Sequence, residues 1–416
     1  MRLYIDPGTG SMLFTVLLGL IGAAVYSLRM LFIKLRFAFS GGKAEVGTEK
    51  LPLVIFADDK RYWTIFAPVC RELDKRGMDV VYMTASPDDP GLNNPYPHVR
   101  GEFIGEGNKA FSKLNFLNAT MVFSTTPGLD VYQWKRSKNV DYYIHIFHTA
   151  GEVTRYRMFG IDYYDAMLIA GDHQERDIRY LERLRGLPSK KIVKVGIPYM
   201  DEMAKRLEKA DPVPAHPRTV LLAPTWGPSA IFSIHGGDII RQLLETGYHI
   251  IIRPHPQSFS SEKELMDKLM QEYPESDQLE WNRDTDNFDV LRRSDILISD
   301  FSGVVFDFSL IYDKPVIYTD PKFDLAPYDA WFLDYPLWTL SALPRIGQEL
   351  NTRTDIKTLI DTTLESEQYA RGRKEVKEEV WAHFGEGAVR TADYLMEKYA
   401  ELTRKDTERS DGHVRI

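Results

Sequence analysis

Residues 294–320, SDILISDFSGVVFDFSLIYDKPVIYTD, restrict the fold more than any other stretch of the chain. Ile296-Leu297-Ile298 is an apolar run of strand length, and it ends in a polar turn, Ser299-Asp300-Phe301-Ser302-Gly303. Residues 304–312 are apolar at helical length and stop at Asp313-Lys314-Pro315, and Val316-Ile317-Tyr318 is again a short apolar run. Strand, turn, helix and strand in that order predict a βαβ unit. The helix then begins at the carboxyl end of the sheet, with free N–H groups and the positive end of its dipole. That arrangement suits a phosphate. Ser299 and Ser302 offer hydroxyls, and Gly303 lets an anion approach the backbone closely. Capping of the helix by Asp300 or Ser302 explains the same residues without a ligand. Helix caps are far commoner than phosphate sites, so on this stretch alone capping comes first.

The same alternation recurs along the chain. Apolar runs at 53–57, 79–84, 120–124, 142–147, 166–170 and 191–195 are joined by segments that include helical spacing at 62–76 and 172–185. A charged segment at 204–217, with Pro212, Pro214 and Pro217, precedes a second series. Its strands fall at 220–223 and 249–252, its helices at 238–245, 261–273 and 287–293, and the βαβ unit follows. Residues 355–373 and 388–405 read as helices, and the polar tail 406–416 as disordered. Two such series in 416 residues predict two parallel α/β domains. They cover 51–203 and 218–385, with a linker at 204–217, a C-terminal helix at 386–405 and a flexible tail. Ligands of open α/β sheets bind past the carboxyl ends of the strands, so chemistry is expected in a cleft between the two domains.

The N-terminus differs from the rest. Residues 7–28 contain no charged side chain, while Arg29, Lys34, Arg36 and Lys43 follow. The uncharged run is long enough to cross a hydrocarbon core of about 30 Å. The trailing cations place the remainder of the chain on the cytoplasmic side of a cell membrane. Residues 1–38 therefore read as a transmembrane or monotopic anchor with a basic flank, and 39–50 as a linker. A cleaved signal peptide fits less well, because only Arg2 precedes the acidic Asp6. The net charge of −8 argues against general nucleic-acid binding. The single cysteine, Cys70, forms no disulfide within the chain and sits at a packing position of a helix.

Several residues just past strands have chemistry to offer. Arg253-Pro254-His255-Pro256 is a loop stiffened by two prolines. It fixes a guanidinium, which binds phosphate through a fork of donors, beside a titratable ring. A rigid loop in which His255 caps a helix is the alternative, and Arg253 together with the turn at 299–303 favours function. His148 ends the run Ile144-His145-Ile146-Phe147-His148. Alternation puts it on the opposite face from His145, which suits core packing better. A neutral His148 facing the cleft can take a proton from an attacking hydroxyl. Asp307, one helical turn past Gly303, is placed to accept from ribose hydroxyls or simply to face solvent. Thr225-Trp226, past another strand, lines a nucleotide pocket or packs. His235 is a weaker candidate, since no strand holds its loop. The acidic pairs Asp58-Asp59 and Asp88-Asp89 lack a third ligand at recognisable spacing, so no metal site is assigned and dependence on a divalent ion stays open.

Thr225-Trp226, Arg253-Pro254-His255-Pro256, Ser299-Asp300-Phe301-Ser302-Gly303, Phe306-Asp307 and Lys314-Pro315 together resemble the CDP-glycerol glycerophosphotransferases, the teichoic acid primases and polymerases. Order and spacing match over 220–318, and more loosely in the first domain around His148-Thr149. The resemblance implies a GT-B fold: two Rossmann-like domains facing a cleft, here with an N-terminal membrane segment. It also implies attachment to the cytoplasmic membrane face. The activity it implies is transfer of glycerol phosphate or ribitol phosphate from a CDP-alditol to a lipid-linked acceptor, with release of CMP. Carried over by position, His148 is the base, with His255 the second catalytic candidate. Arg253, His255, Ser299, Ser302 and Asp307 hold CDP-glycerol. Thr225, Trp226, Asp300 and Gly303 complete the donor-binding set. The donor is a substrate, and no further cofactor is expected. Three positions depart from the family pattern: His-Gly-Thr is His148-Thr149-Ala150, Thr-Trp-Arg is Thr225-Trp226-Gly227, and Ser-Ser is Ser302-Gly303. A GT-B glycosyltransferase or epimerase-like enzyme using a UDP-sugar, and a membrane-tethered, non-catalytic scaffold with a degenerate nucleotide site, are the alternative readings.

Overall fold

Five consecutive residues, Leu53 to Ala57, are wholly buried, because β1 (Leu51–Ala57) is a central strand covered on both faces. Leu53, Ile55 and Ala57 pack with Phe66 and Leu73 of the helix Trp63–Lys75. Val54 and Phe56 point the other way, to Leu114, Trp134 and Tyr143. This computed structural model of the chain describes residues 50–413, apart from 285, 301, 320–323 and 352–354. The expected anchor at 1–38 and nearly all of the linker at 39–50 lie outside the described residues. Among those described, no helix is long and apolar enough to cross a membrane.

β1 is joined by β2 (Val80–Thr84), β3 (Val99–Phe103), β4 (Asn118–Ser124), β5 (Asn139–Ile146), β6 (Ala166–Ile169) and β7 (Lys191–Lys194). The sheet is parallel, in the order β3-β2-β1-β4-β5-β6-β7. The second sheet contains β8 (Thr219–Ala223), β9 (His249–Ile252), β10 (Leu279–Trp281), β11 (Ile296–Ser299), β12 (Val316–Tyr318) and β13 (Gly347–Glu349). It is also parallel, in the order β10-β9-β8-β11-β12-β13. In each sheet the order reverses beside the first strand of the half, so the carboxyl ends of β1 and β4, and of β8 and β11, flank a crevice. One apolar cluster spans the two halves, bringing Ala150, Ala170, Ile197 and Met200 together with Val305, Phe306, Trp338 and Trp381.

The sequence expectations need four corrections. The helix Pro198–Lys209 runs into the segment read as a linker, because the helix-breaking prolines start only at Pro212 and Met200, Met203 and Ala204 give it a buried face. The helix expected at 355–373 is two, Ile356–Leu364 and Glu367–Val380, the second capped by Ser366, whose side chain accepts from the Tyr369 N–H. The last helix, Gly387–His413, continues into the segment expected to be disordered. It returns to the first half, where Ala388, Ala392 and Leu395 join the cluster of Leu53 and Phe66. The helix after the Ser302–Gly303 turn is α-helical over Val304–Phe306 and π-helical over Asp307–Ile311.

Candidate active site

His148 lies two residues beyond the end of β5, not on the strand, and is half-buried. Thr125, immediately past β4, is wholly buried beside it. The Thr125 hydroxyl donates to the Ile146 carbonyl at 2.8 Å and lies 2.8 Å from Nδ1 of His148. A hydroxyl has one proton, so at His148 it accepts, and Nδ1 carries the hydrogen. That assignment leaves the Nε2 lone pair free. The Tyr62 ring packs 5.1 Å from the imidazole. Burial, and then the positive charge of Arg61, push the His148 pKa down to about 4. The ring is therefore neutral near pH 7 and able to take a proton. The following turn is held by the buried Gln174, whose NH2 donates to the Thr149 and Gly151 carbonyls at 3.2 and 2.7 Å. His145 is wholly buried, with its pKa pushed down to about 3 by burial, and belongs to the core as its strand face implied.

In the second half, the loop carrying His255 is pinned to the end of β8. The Arg253 N–H donates to the Leu222 carbonyl at 2.8 Å, and the His255 N–H to the Pro224 carbonyl at 3.2 Å. Nδ1 of His255 accepts from the Gln257 N–H at 3.1 Å. The proton of this neutral ring therefore sits on Nε2, the reverse of His148. Burial and then the charge of Arg61 lower the His255 pKa. The capping alternative holds for Nδ1, which serves the turn into the short helix Ser258–Ser261, and leaves Nε2–H for other work. The Arg253 guanidinium donates to Asn282 Oδ1 and, at 2.8 Å, to the Asp284 carbonyl. It is fixed as the stiff loop implied, though by partners beyond β10.

The turn after β11 divides into two kinds of residue. Ser299 and Asp300 are wholly buried. Ser299 donates to the Ala223 carbonyl at 2.6 Å. Asp300 accepts from the Thr225 N–H at 3.0 and 3.1 Å and from the Ile231 N–H at 3.2 Å. Both residues hold the loop after β8 against β11, and burial raises the Asp300 pKa. This corrects the expectation that they face a donor: the register pairs Ser299 with Ala223, and their polar atoms satisfy backbone groups that water cannot reach. Ser302 is half-buried, and its hydroxyl accepts weakly from the Val304 N–H at 3.4 Å, so capping and ligand binding remain compatible there. Gly303 is exposed at φ −59°, with nothing near the position of a Cβ. Its value is open access, since any residue adopts that backbone. Asp307 lies 3.5 Å from the Tyr199 hydroxyl, and burial pushes its pKa up to about 7. Thr225 is buried with its N–H engaged by Asp300, while Trp226 is 46% exposed. His235 is half-buried at the end of the helix Ile231–His235.

Sequence reasoning missed Arg61. The loop past β1 was read only for its acidic pair, and among the described residues no group of three acidic, histidine or cysteine side chains is placed to hold a metal. Asp58 instead accepts from the Thr126 hydroxyl at 2.8 Å, Asp59 caps the Arg61 N–H at 2.9 Å, and Lys60 pairs with Asp88. The Arg61 guanidinium sits 5.2 Å from the centre of the Tyr62 ring, and its charge acts on His148 and His255 alike. One cation thus acts on an imidazole of each half. The signal was available: Arg61 follows the carboxyl end of a buried strand, like the other candidates.

The sequence matches the family described as CDP-glycerol:poly(glycerophosphate) glycerophosphotransferase over residues 155–395. That range contains the candidates of the second half, while Arg61 and His148 precede it. No curated protein matches the chain. Among solved structures, the wall teichoic acid polymerase TagF is similar at 16% identity and a TM-score of 0.54, over 85% of this chain and 90% of that one. A UDP-GlcNAc 2-epimerase from Methanocaldococcus jannaschii, in complex with UDP-GlcNAc and UDP, is similar at 14% identity and a TM-score of 0.56, over 82% and 99%. The S. aureus MnaA–UDP structure is similar at 12% identity and a TM-score of 0.57, over 85% and 98%. At such identities the likeness is one of fold, and the fold is the GT-B arrangement of two parallel α/β sheets that the resemblance implied.

Proposed function

The chain belongs to the CDP-glycerol:poly(glycerophosphate) glycerophosphotransferase family, and we propose that it moves glycerol phosphate, or a related alditol phosphate, from a CDP-alditol to a hydroxyl of a lipid-linked or glycan acceptor. The observation that supports this best is the opposed protonation of the two cleft histidines. His148 offers a lone pair at Nε2, and His255 offers a proton at Nε2. In this reading the acceptor hydroxyl enters over the first half. Nε2 of His148 takes its proton as the oxygen attacks the β-phosphorus. A P–O bond to the acceptor forms, the P–O bond to the nucleotide breaks, and CMP leaves with that electron pair. The Nε2–H of His255 donates to a phosphate oxygen as charge builds, an electrostatic contribution of the kind that dominates phosphoryl transfer. Ser302 and the open backbone at Gly303 receive the donor phosphates, with Trp226 and Asp307 nearby on the nucleotide side.

The membrane completes the proposal. The uncharged N-terminal stretch at 7–28 and the cations that follow would hold the catalytic halves at the cytoplasmic face of the cell membrane, beside a lipid-linked acceptor. Fold likeness extends equally to enzymes of UDP-sugars, so the base of the nucleotide is the discriminating question. Full-length protein, melted with CMP, CDP-glycerol, CDP-ribitol, UMP and UDP-GlcNAc in turn, answers it. Ligand at about 100 times its dissociation constant stabilises by about 2.7 kcal/mol. A rise in melting temperature with the cytidine ligands is expected. A rise with the uridine ligands alone would overturn the donor in favour of a UDP-sugar, and none at all would favour a scaffold.

A further inference from the structure

We propose that Arg61 is a catalytic residue: its guanidinium, carried by the first half, binds the phosphates of a donor held on the second half. The inference rests on the CDP-alditol reading and adds a residue to it.

A nucleotide diphosphate ester brings negative charge into the cleft, and transfer spreads more of it over the phosphoryl oxygens. Among the described residues, the cation that the second half carries directly past the end of β9 is engaged elsewhere. Arg253 is held by Asn282 and the Asp284 carbonyl. Gly227, in the loop past β8, has no side chain at all, and the space where a Cβ would point is open.

Arg61 is different. Its side chain is 64% exposed, and its ion pair is a loose one, 3.4 Å from Nε to Asp59 Oδ1. The guanidinium lies over the Tyr62 ring, 5.2 Å from the centroid, and the same ring packs 5.1 Å from His148. Tyr62 thus spaces the cation from the base. The groups around this point are Asp58, Asp59 and Tyr62 on its own loop and Thr125, His145 and Tyr156 around His148, and the charge of Arg61 also lowers the pKa of His255 in the other half. Among them Arg61 is the permanent cation, and its planar fork matches two phosphate oxygens. It has a second effect. By disfavouring the imidazolium, it keeps His148 a base until donor charge arrives.

The experiment compares wild type, Arg61→Gln and Arg61→Lys in the full chain, following CMP release from CDP-glycerol against pH. The side chain is exposed, so unliganded melting temperatures should be equal. Arg61→Gln should slow CMP release by about 100-fold or more, and the acid limb of kcat/KM should move to higher pH, since His148 protonates more readily without the cation. Arg61→Lys should restore part of the rate and return the limb toward wild type. CMP release within about twofold of wild type in Arg61→Gln, with the limb unmoved, would overturn the role. Failure of the wild type itself to bind CDP-glycerol would overturn the donor reading and this inference with it.

Discussion

A threonine hydroxyl has one proton to give. At Thr125 it goes to the Ile146 carbonyl, so the imidazole of His148 must bring its own at Nδ1. At His255 a backbone N–H makes the opposite demand. In the proposed reaction, the division of labour between two identical side chains therefore comes from neighbours that have no chemistry of their own. Thr125→Val keeps the shape and removes both bonds. Its kcat should fall by about tenfold to a hundredfold with little change in KM for the donor, and Thr125→Ser should recover most of the loss. Equal kcat in valine and serine variants would show that the hydroxyl does not orient the ring. At this scale the sequence was legible where a residue follows a strand and stands alone, as with His148 and His255. It was misleading at Ser299 and Asp300, whose polarity suggested a ligand. Their partners are Ala223, Thr225 and Ile231, more than 60 residues away, and no local pattern announces them.

Among the elements, central strands were easy to read because burial on both faces leaves an unbroken apolar run. Three of the four edge strands were not. In β3 only Val99 is buried, β10 has three residues, and β13 reads Gly-Gln-Glu. Each owes its extended backbone to a neighbour already in place. The last helix shows the same dependence on tertiary context. It is fastened to the first half through Asp201, which is buried and accepts from Trp381 Nε1, the Gly385 N–H and the Gly387 N–H at 2.8, 2.7 and 2.8 Å. Asp201→Ala would leave three donors without their acceptor. A loss of about 3 kcal/mol or more in unfolding free energy is expected by urea denaturation. An unchanged midpoint would mean that the helix is held by Ala388, Ala392 and Leu395 alone.

At the scale of the whole molecule, two parallel sheets of the same strand order make up the two halves, and in the proposed reaction each half supplies what the other lacks. The first half brings His148 and Arg61; the second brings His255 and the open helix start at Gly303. The two-domain plan was readable from alternating apolar runs. The action of the Arg61 charge on both histidines was not, because it links residues almost 200 positions apart in the chain. The measurement that tests this most directly is CMP release from CDP-glycerol by the full chain carrying His148→Ala or His255→Ala. Each variant should melt near the wild-type temperature and lose about 10²–10⁴ in rate. The wild-type rate itself should hold steady down to the region of pH 4, where His148 protonates and ceases to act as a base. Wild-type rates in both alanine variants would contradict a catalytic site built on these two histidines.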